Sequence, residues 1–109
     1  MKSGDMIWQS RMPGGACILI EMWDTREEYK KMLNEELPEA GDPVWSKDDF
    51  PVLRVLHPTE GLIQDPSYYY MTLDDEEKYS KRRVAYELKK AGRPVPEWLQ
   101  KEIAEDETR

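Results

Sequence analysis

The side chains best suited to nucleophilic chemistry in this sequence are Cys17 and His57, its single cysteine and single histidine. A cysteine nucleophile needs an exposed thiolate, a base within hydrogen-bond reach and a third group that orients the base. Cys17 lies inside the apolar run 16–23, where a thiol normally behaves as a small buried hydrophobe. We therefore do not expect a catalytic pair, and a lone histidine also argues against a histidine-rich metal site.

Acidic side chains in the long segment 38–50 are the next candidates. Asp48 and Asp49, with other aspartates, have the chemistry to bind a divalent cation or to act in acid–base catalysis. Ser46 and Asp49 also have the spacing of a local cap, which accounts for these residues without a ligand. The sequence has no glycine-rich phosphate loop, no Gly-x-Ser-x-Gly and no Cys-x-x-Cys. We expect a protein that is not an enzyme and holds no metal or other cofactor.

Basic residues are concentrated in the segment 78–93, which contains seven lysines and arginines and one acid. The chain as a whole has a net charge of −7. A helical period places most of these cations opposite a narrow apolar face, with tyrosines beside them. Aromatic rings among basic side chains are typical of nucleic-acid-binding proteins. The predicted nucleic-acid-binding face consists of Lys78, Arg82, Tyr86, Lys89 and Arg93.

The same pattern also has a purely structural interpretation. Tyr79 and Tyr86 would pack against neighbouring elements, and the basic side chains would cover apolar surface with their stems. Residues 97–107 carry five acids and one lysine, and a helical hairpin would set them beside the basic helix. Intramolecular charge balance accounts for most patches of this kind, so it is the interpretation that the charges favour.

The run Tyr68 to Tyr70 and Trp45 offers an aromatic surface. Alternation along a strand would put Tyr68 and Tyr70 on one face and Tyr69 on the other, so at least one ring points outward. Tyrosine and tryptophan are favoured anchors of protein interfaces. Trp45 either fixes its loop to the core or is an exposed anchor, and both alternatives stay open. The predicted partner-binding surface consists of Trp45, Tyr68, Tyr70, Asp48 and Asp49.

The composition indicates one α+β domain over residues 1–109. Four tryptophans and six tyrosines supply enough apolar bulk for a core, although 36% of the residues are charged. The net acidity disfavours nucleic acid and anionic membranes as partners. The single cysteine predicts a reducing compartment, and no signal peptide or membrane span is expected, so we predict a cytoplasmic protein.

The sheet is predicted to be built around residues 16–23, a buried central strand. A strand at 6–12 pairs with it across the glycine-containing turn. A third strand, 51–57, is expected near a sheet edge because it begins with proline and contains arginine. After a loop at 59–67, a last strand covers 68–73.

Three helices complete the predicted fold. The first covers 24–37, with a capping box from Thr25 to Glu28, and stops at Pro38. The C-terminal helical hairpin covers 74–105: its first helix ends at Gly92 as the C′ residue, its second starts after Pro96, and a frayed tail follows at 106–109. The prediction is a small, mainly antiparallel sheet of about four strands in the order β-β-α-β-β-α-α, covered by one helix and the hairpin.

The expected function is that of a non-catalytic, acidic protein-binding module. By analogy of size and charge alone, it would inhibit a nucleic-acid-handling or defence enzyme, as phage-encoded inhibitors do, with an acidic surface that meets a basic groove. One alternative is nucleic-acid binding by the basic face of helix 78–93. The other is a self-associating structural subunit, such as a homodimer, with Trp8 or Tyr70 at the interface.

Overall fold

A computed structural model of the chain describes residues 2–73 and 81–107. It shows one antiparallel sheet with helices packed against it, which confirms the predicted α+β class. The sheet has five strands where about four were predicted: β1 (Met6–Gln9), β2 (Gly15–Trp23), β3 (Val52–His57), β4 (Gly61–Pro66) and β5 (Tyr70–Thr72). The helices are α1 (Arg26–Glu36), α2 (Lys81–Lys90) and α3 (Glu97–Glu107).

Strand β2 lies at the centre of the sheet, as its apolar sequence predicted. The strand order is β4-β3-β2-β1-β5, and every neighbouring pair is antiparallel. Pairing between β2 and β3 shifts by one residue at a bulge between Leu19 and Glu21. The shift changes which side chains share a face, because an extra residue interrupts the two-residue alternation. As a result Glu21 lies across from Arg54, and Met22 lies across from Leu53.

The predicted loop at 59–67 is wrong, because it contains strand β4. This strand pairs with β3 along its whole length, from His57 opposite Gly61 to Val52 opposite Pro66. Strand β3 is therefore an interior strand, and it lies near an edge as predicted, next to the edge strand β4. Gly61 and Pro66 indicate turns in the sequence, but here they stand at the two ends of an edge strand, where proline costs no ladder hydrogen bond.

The sheet curls so that its two edge strands approach each other. Strand β4 lies at one edge, and only the three-residue 3-10 turn Ser67–Tyr69 separates it from β5 at the other edge. So short a connection brings the two edges together, and the Tyr70 hydroxyl on β5 donates to Asp65 on β4 at 2.7 Å. The inner face carries a cluster without a helical residue among those described, and its members are Ile7, Cys17, Leu19, Leu53, Val55 and Tyr70.

The helices cover the outer face of the sheet. Helices α2 and α3 bury Ile18 and Leu56, and α1 packs at the far end of the same face over Trp23 and Val52. The first helix begins as predicted, since the Thr25 side chain accepts from the Glu28 amide at 3.2 Å.

The C-terminal helices form the predicted hairpin. Gly92 follows α2 with φ +77°, the left-handed conformation expected of a C′ glycine. Helix α3 continues to Glu107, two residues beyond its predicted end. The predicted start of the hairpin, at 74–80, lies outside the described residues.

Candidate functional site

His57 is a structural residue that joins two turns. Its ring is fully buried, and both ring nitrogens contact backbone atoms. Nδ1 accepts from the amides of Thr59 and Glu60, each at 3.1 Å, so the proton of the neutral ring lies on Nε2. Nε2 then donates to the Gly14 carbonyl at 2.8 Å. Burial is the main reason why the pKa of His57 is lowered, so the ring is held neutral.

Cys17 is equally enclosed, on the inner face of the sheet. Its side chain has no exposed surface, and burial raises the pKa of its thiol to about 12. A thiolate is the reactive form of cysteine, so this environment suppresses nucleophilic and redox chemistry. Because the nitrogens of His57 are also occupied, the geometry gives the Cys17–His57 pair no route to catalysis.

A buried polar network at one end of the inner face was not predicted from the sequence. It is centred on Asp65, which is 4% exposed. One carboxylate oxygen accepts from Tyr70 at 2.7 Å and from the side-chain amide of Gln9 at 3.4 Å. The other accepts from Arg11 at 2.6 Å. All the buried side-chain polar atoms among the described residues have partners, so this network is part of the folded core.

Tyr70 belongs to this network, which corrects its assignment to a partner-binding or two-fold interface. Its ring is 7% exposed, and both burial and the hydrogen bond to Asp65 raise the pKa of its hydroxyl. The predicted strand began at Tyr68, whereas the 3-10 turn delays β5 to Tyr70. Alternation placed Tyr68 and Tyr70 together, but the turn separates them into an exposed and a buried ring.

The segment between α1 and β3 folds around local caps. Ser46 and Asp49 form the predicted cap, since the Asp49 carboxylate accepts from the Ser46 amide at 2.9 Å. Trp45 is half-buried against the α1 cluster, and its carbonyl accepts from Arg26 at 3.2 Å. Trp45 therefore fixes its loop to the body, and the alternative of an exposed anchor is not supported. Asp48 remains exposed.

An exposed aromatic strip lies beside that cap, and we call it the Tyr68 strip: Arg11, Tyr69, Tyr68 and Asp49. Tyr68 is 60% exposed, and its ring centroid lies 4.6 Å from that of Tyr69. Its hydroxyl donates to Asp49 at 2.9 Å. The Arg11 guanidinium lies over the Tyr69 ring, 5.2 Å from its centroid. Each member thus contacts the next, which orders the strip.

Hydrogen bonding also sets the charge of the strip. The Ser46 amide and then the Tyr68 hydroxyl lower the pKa of Asp49, which keeps its carboxylate ionised. The same hydrogen bond raises the pKa of Tyr68 to about 12. The strip therefore presents a neutral phenol beside a fixed negative charge, with the exposed Asp48 as a second acid.

The outer face of α2 presents a second exposed ring, that of Tyr86. Tyr86 is 65% exposed, so its predicted structural role of packing against another element is not what the structure shows. Basic residues stand one turn before it and one turn after it, at Arg82, Arg83, Lys89 and Lys90, and all four are exposed. Of the predicted nucleic-acid-binding set, Lys78 lies outside the described residues, and Arg93 donates to the Thr59 carbonyl at 3.2 Å.

A groove of about 700 Å³ runs along this face of α2. Its far wall consists of the β1–β2 turn at 13–15 and the β3–β4 turn at 58–59, with Trp8 between them and the helix. On the helix side it is lined by Arg83, Tyr86, Glu87, Lys90 and Ala91. Trp8, predicted as a self-association residue, is half-buried in this groove.

Acidic residues of the hairpin neutralise only part of the basic helix. Lys81 pairs with Glu102 of α3 at 2.9 Å, and Arg83 lies 3.5 Å from Glu87 of its own helix. Lys89 and Lys90 form no ion pair with any described residue. Ion pairs among the described residues therefore engage Lys81 and Arg83, and they leave Lys89 and Lys90 exposed on the outer face of α2.

The described residues contain no cluster of three or more histidine, cysteine or acidic side chains placed to hold a metal ion. Within the same residues, no helix has the length and apolar character needed to cross a membrane. The chain matches no protein-family model, and neither a curated protein nor a solved structure matches it. The function is therefore inferred from the two exposed surfaces, the Tyr68 strip and the face of α2 around Tyr86.

Proposed function

We propose that this chain is a non-catalytic protein-binding module that engages its partner through the Tyr68 strip. The observation that carries the proposal is a tyrosine ring that is three-fifths exposed while its hydroxyl is held by Asp49. An exposed ring with a fixed orientation loses little conformational entropy on binding. Tyrosine and arginine are also the residue types that dominate the binding energy of protein interfaces.

Charge indicates the kind of partner. The strip contains the ionised Asp49, the residue before it in the chain is the exposed Asp48, and the chain carries a net charge of −7. A partner with a basic groove would be attracted over a distance and would bind faster at low salt. Enzymes that handle nucleic acid have such grooves, and an inhibitor that covers one fits this acidic surface. Cys17 and His57 are enclosed by the core, so neither side chain is accessible to a substrate.

Affinity capture with three forms of the chain tests the proposal. Tyr68→Ala removes the ring, and Leu62→Ala is the matched control because Leu62 is 61% exposed and lies on β4. We expect wild type and Leu62→Ala to retain one protein in stoichiometric amount, and Tyr68→Ala to lose it. A stoichiometric partner that all three forms retain equally would show that the strip is not the binding surface. If wild type captures no protein in stoichiometric amount, the proposal of a protein-binding module is contradicted.

A further inference from the structure

We propose that the groove along α2 binds single-stranded nucleic acid, with a base stacked on Tyr86 and phosphates beside the basic residues around it. The groove shares no residue with the Tyr68 strip, so this inference goes beyond the proposed function and does not depend on it. It rests on the exposure of Tyr86, on the positions of the cations and on the shape of the groove.

Tyr86 has the environment of a stacking platform. Its ring is 65% exposed although α2 has a well-packed inner side at Val84, Ala85 and Leu88. Its hydroxyl makes no hydrogen bond with any described residue, so neither packing nor polar contacts account for a large aromatic residue here. Stacking between a base and an exposed aromatic ring is favourable for every base, which gives affinity without sequence selection.

The cations surround this ring on both sides. On a helix, residues three and four positions away are neighbours, so Arg82, Arg83, Lys89 and Lys90 all border Tyr86. Glu87 is the single acid within α2; it lines the groove and lies beside Arg83. A phosphate on the C-terminal side of a stacked base would therefore meet the exposed Lys89 and Lys90, which form no ion pair with a described residue.

The shape of the groove favours a single strand. Its volume of about 700 Å³ suits a short flexible segment, and its far wall is formed by Pro13, Pro58 and adjacent glycines. Trp8 adds a second aromatic side chain inside the groove. Bases in a duplex are stacked on one another and cannot reach Tyr86, whereas an unpaired base can turn toward it. An acidic peptide would satisfy the cations but would leave the ring without its stacking partner.

Fluorescence anisotropy with a labelled single strand of about 12 nucleotides tests the inference at low salt. Wild type should bind, Tyr86→Ala should bind about tenfold more weakly, and Tyr86→Phe should bind like wild type because the ring is kept. Lys90→Ala should reduce the dependence of log K on log salt by about 0.7, the value for one phosphate contact on a single strand. Lys31→Ala, which removes an exposed lysine from α1, should change neither quantity.

Competitors separate the alternatives. Unlabelled single strand should displace the probe at lower concentration than either the matching duplex or poly-glutamate. Several results would overturn the inference: no binding at low salt, equal binding by Tyr86→Ala, or tighter binding of the duplex or of poly-glutamate. Thermal melting of each variant should match wild type, since the substituted side chains are exposed, and a lowered melting temperature for Tyr86→Phe would also contradict the assignment of its ring to the surface.

Discussion

Two tyrosines in this chain each donate a hydrogen bond to an aspartate, one in the core and one on the surface. Comparing them measures how much the buried Asp65 network contributes to the free energy of unfolding. The Tyr70 hydroxyl donates to Asp65 at 2.7 Å inside the curled sheet. The Tyr68 hydroxyl donates to Asp49 at 2.9 Å on the surface. Replacing either tyrosine by phenylalanine removes one hydroxyl and keeps the ring in place. The two variants therefore lose the same type of hydrogen bond and differ mainly in whether that bond is buried.

Tyr70→Phe should lower the free energy of unfolding by about 2 kcal/mol, because a hydrogen bond to a charged group contributes roughly 1.5–3 kcal/mol. The oxygen of Asp65 that loses Tyr70 retains only the Gln9 amide, at 3.4 Å. Arg11 still pairs with the other oxygen at 2.6 Å, which keeps the loss below that of an unpaired buried charge. No cavity forms, because the tyrosine and phenylalanine rings occupy the same space.

Urea unfolding followed by tryptophan fluorescence is the appropriate assay, with Tyr68→Phe as the control. The Tyr68 variant should keep the wild-type midpoint, since water replaces the lost contact with Asp49. For a domain of this size, the loss predicted for Tyr70→Phe corresponds to a melting temperature lowered by roughly 8 °C. Equal midpoints for the two variants, or a more stable Tyr70→Phe, would refute the claim that the Asp65 network stabilises the fold.

Three further predictions concern the core and a helix end. Burial lowers the pKa of His57, so the unfolded chain binds a proton at this ring more readily than the folded chain does. The free energy of unfolding should therefore fall as the pH drops below about 6.5. In urea titrations, His57→Gln should reduce this dependence on pH. Cys17, with a pKa raised to about 12, should react with a thiol reagent only at the unfolding rate, and faster reaction in native buffer would contradict its burial. Thr25→Ala should cost about 1 kcal/mol by removing the N-cap of α1, whereas Thr25→Ser should be nearly neutral in the same denaturation assay.

Helix ends and the central strand could be predicted from local sequence. Thr25 and Glu28 mark the start of α1, and Gly92 marks the end of α2, because caps and left-handed glycines depend on the nearest few residues. The apolar run of β2 likewise predicts a buried central strand, since its burial requires neighbours on both sides. These features could be predicted because the cause lies within a few residues of the effect.

Strand β4 and the inward position of Tyr70 could not be predicted in this way. Residues 61–66 contain glycine, aspartate and proline, and they form a strand because β3 offers a free edge. Asp65 is accommodated inside the sheet because Tyr70, Gln9 and Arg11 donate to it, and Arg11 lies 54 positions away in the sequence. Alternation separates the faces of a strand but does not say which one is inside, and that depends on the curl of the whole sheet.

The candidate surfaces show the same division. The basic neighbours of Tyr86 follow from helical spacing and could be predicted from the sequence. The exposure of its ring could not, because the charge pattern favoured packing of Tyr86 against a neighbouring element. The contacts that order the Tyr68 strip could not, because Arg11, Asp49 and Tyr69 come from three separate segments. The residue type of Trp45 is typical of an interface anchor, but Trp45 packs against the cluster that contains α1.

Site-specific photo-cross-linking from position 68 tests the central claim most directly. A benzoylphenylalanine at position 68 or, as the control, at position 62 would be activated in cells that produce the chain, since Tyr68 and Leu62 are equally exposed. We predict one adduct of defined mass from position 68 and none from position 62. Identical patterns from both positions, no adduct from position 68, or an adduct of twice the mass of the chain would contradict binding of a different protein through the Tyr68 strip.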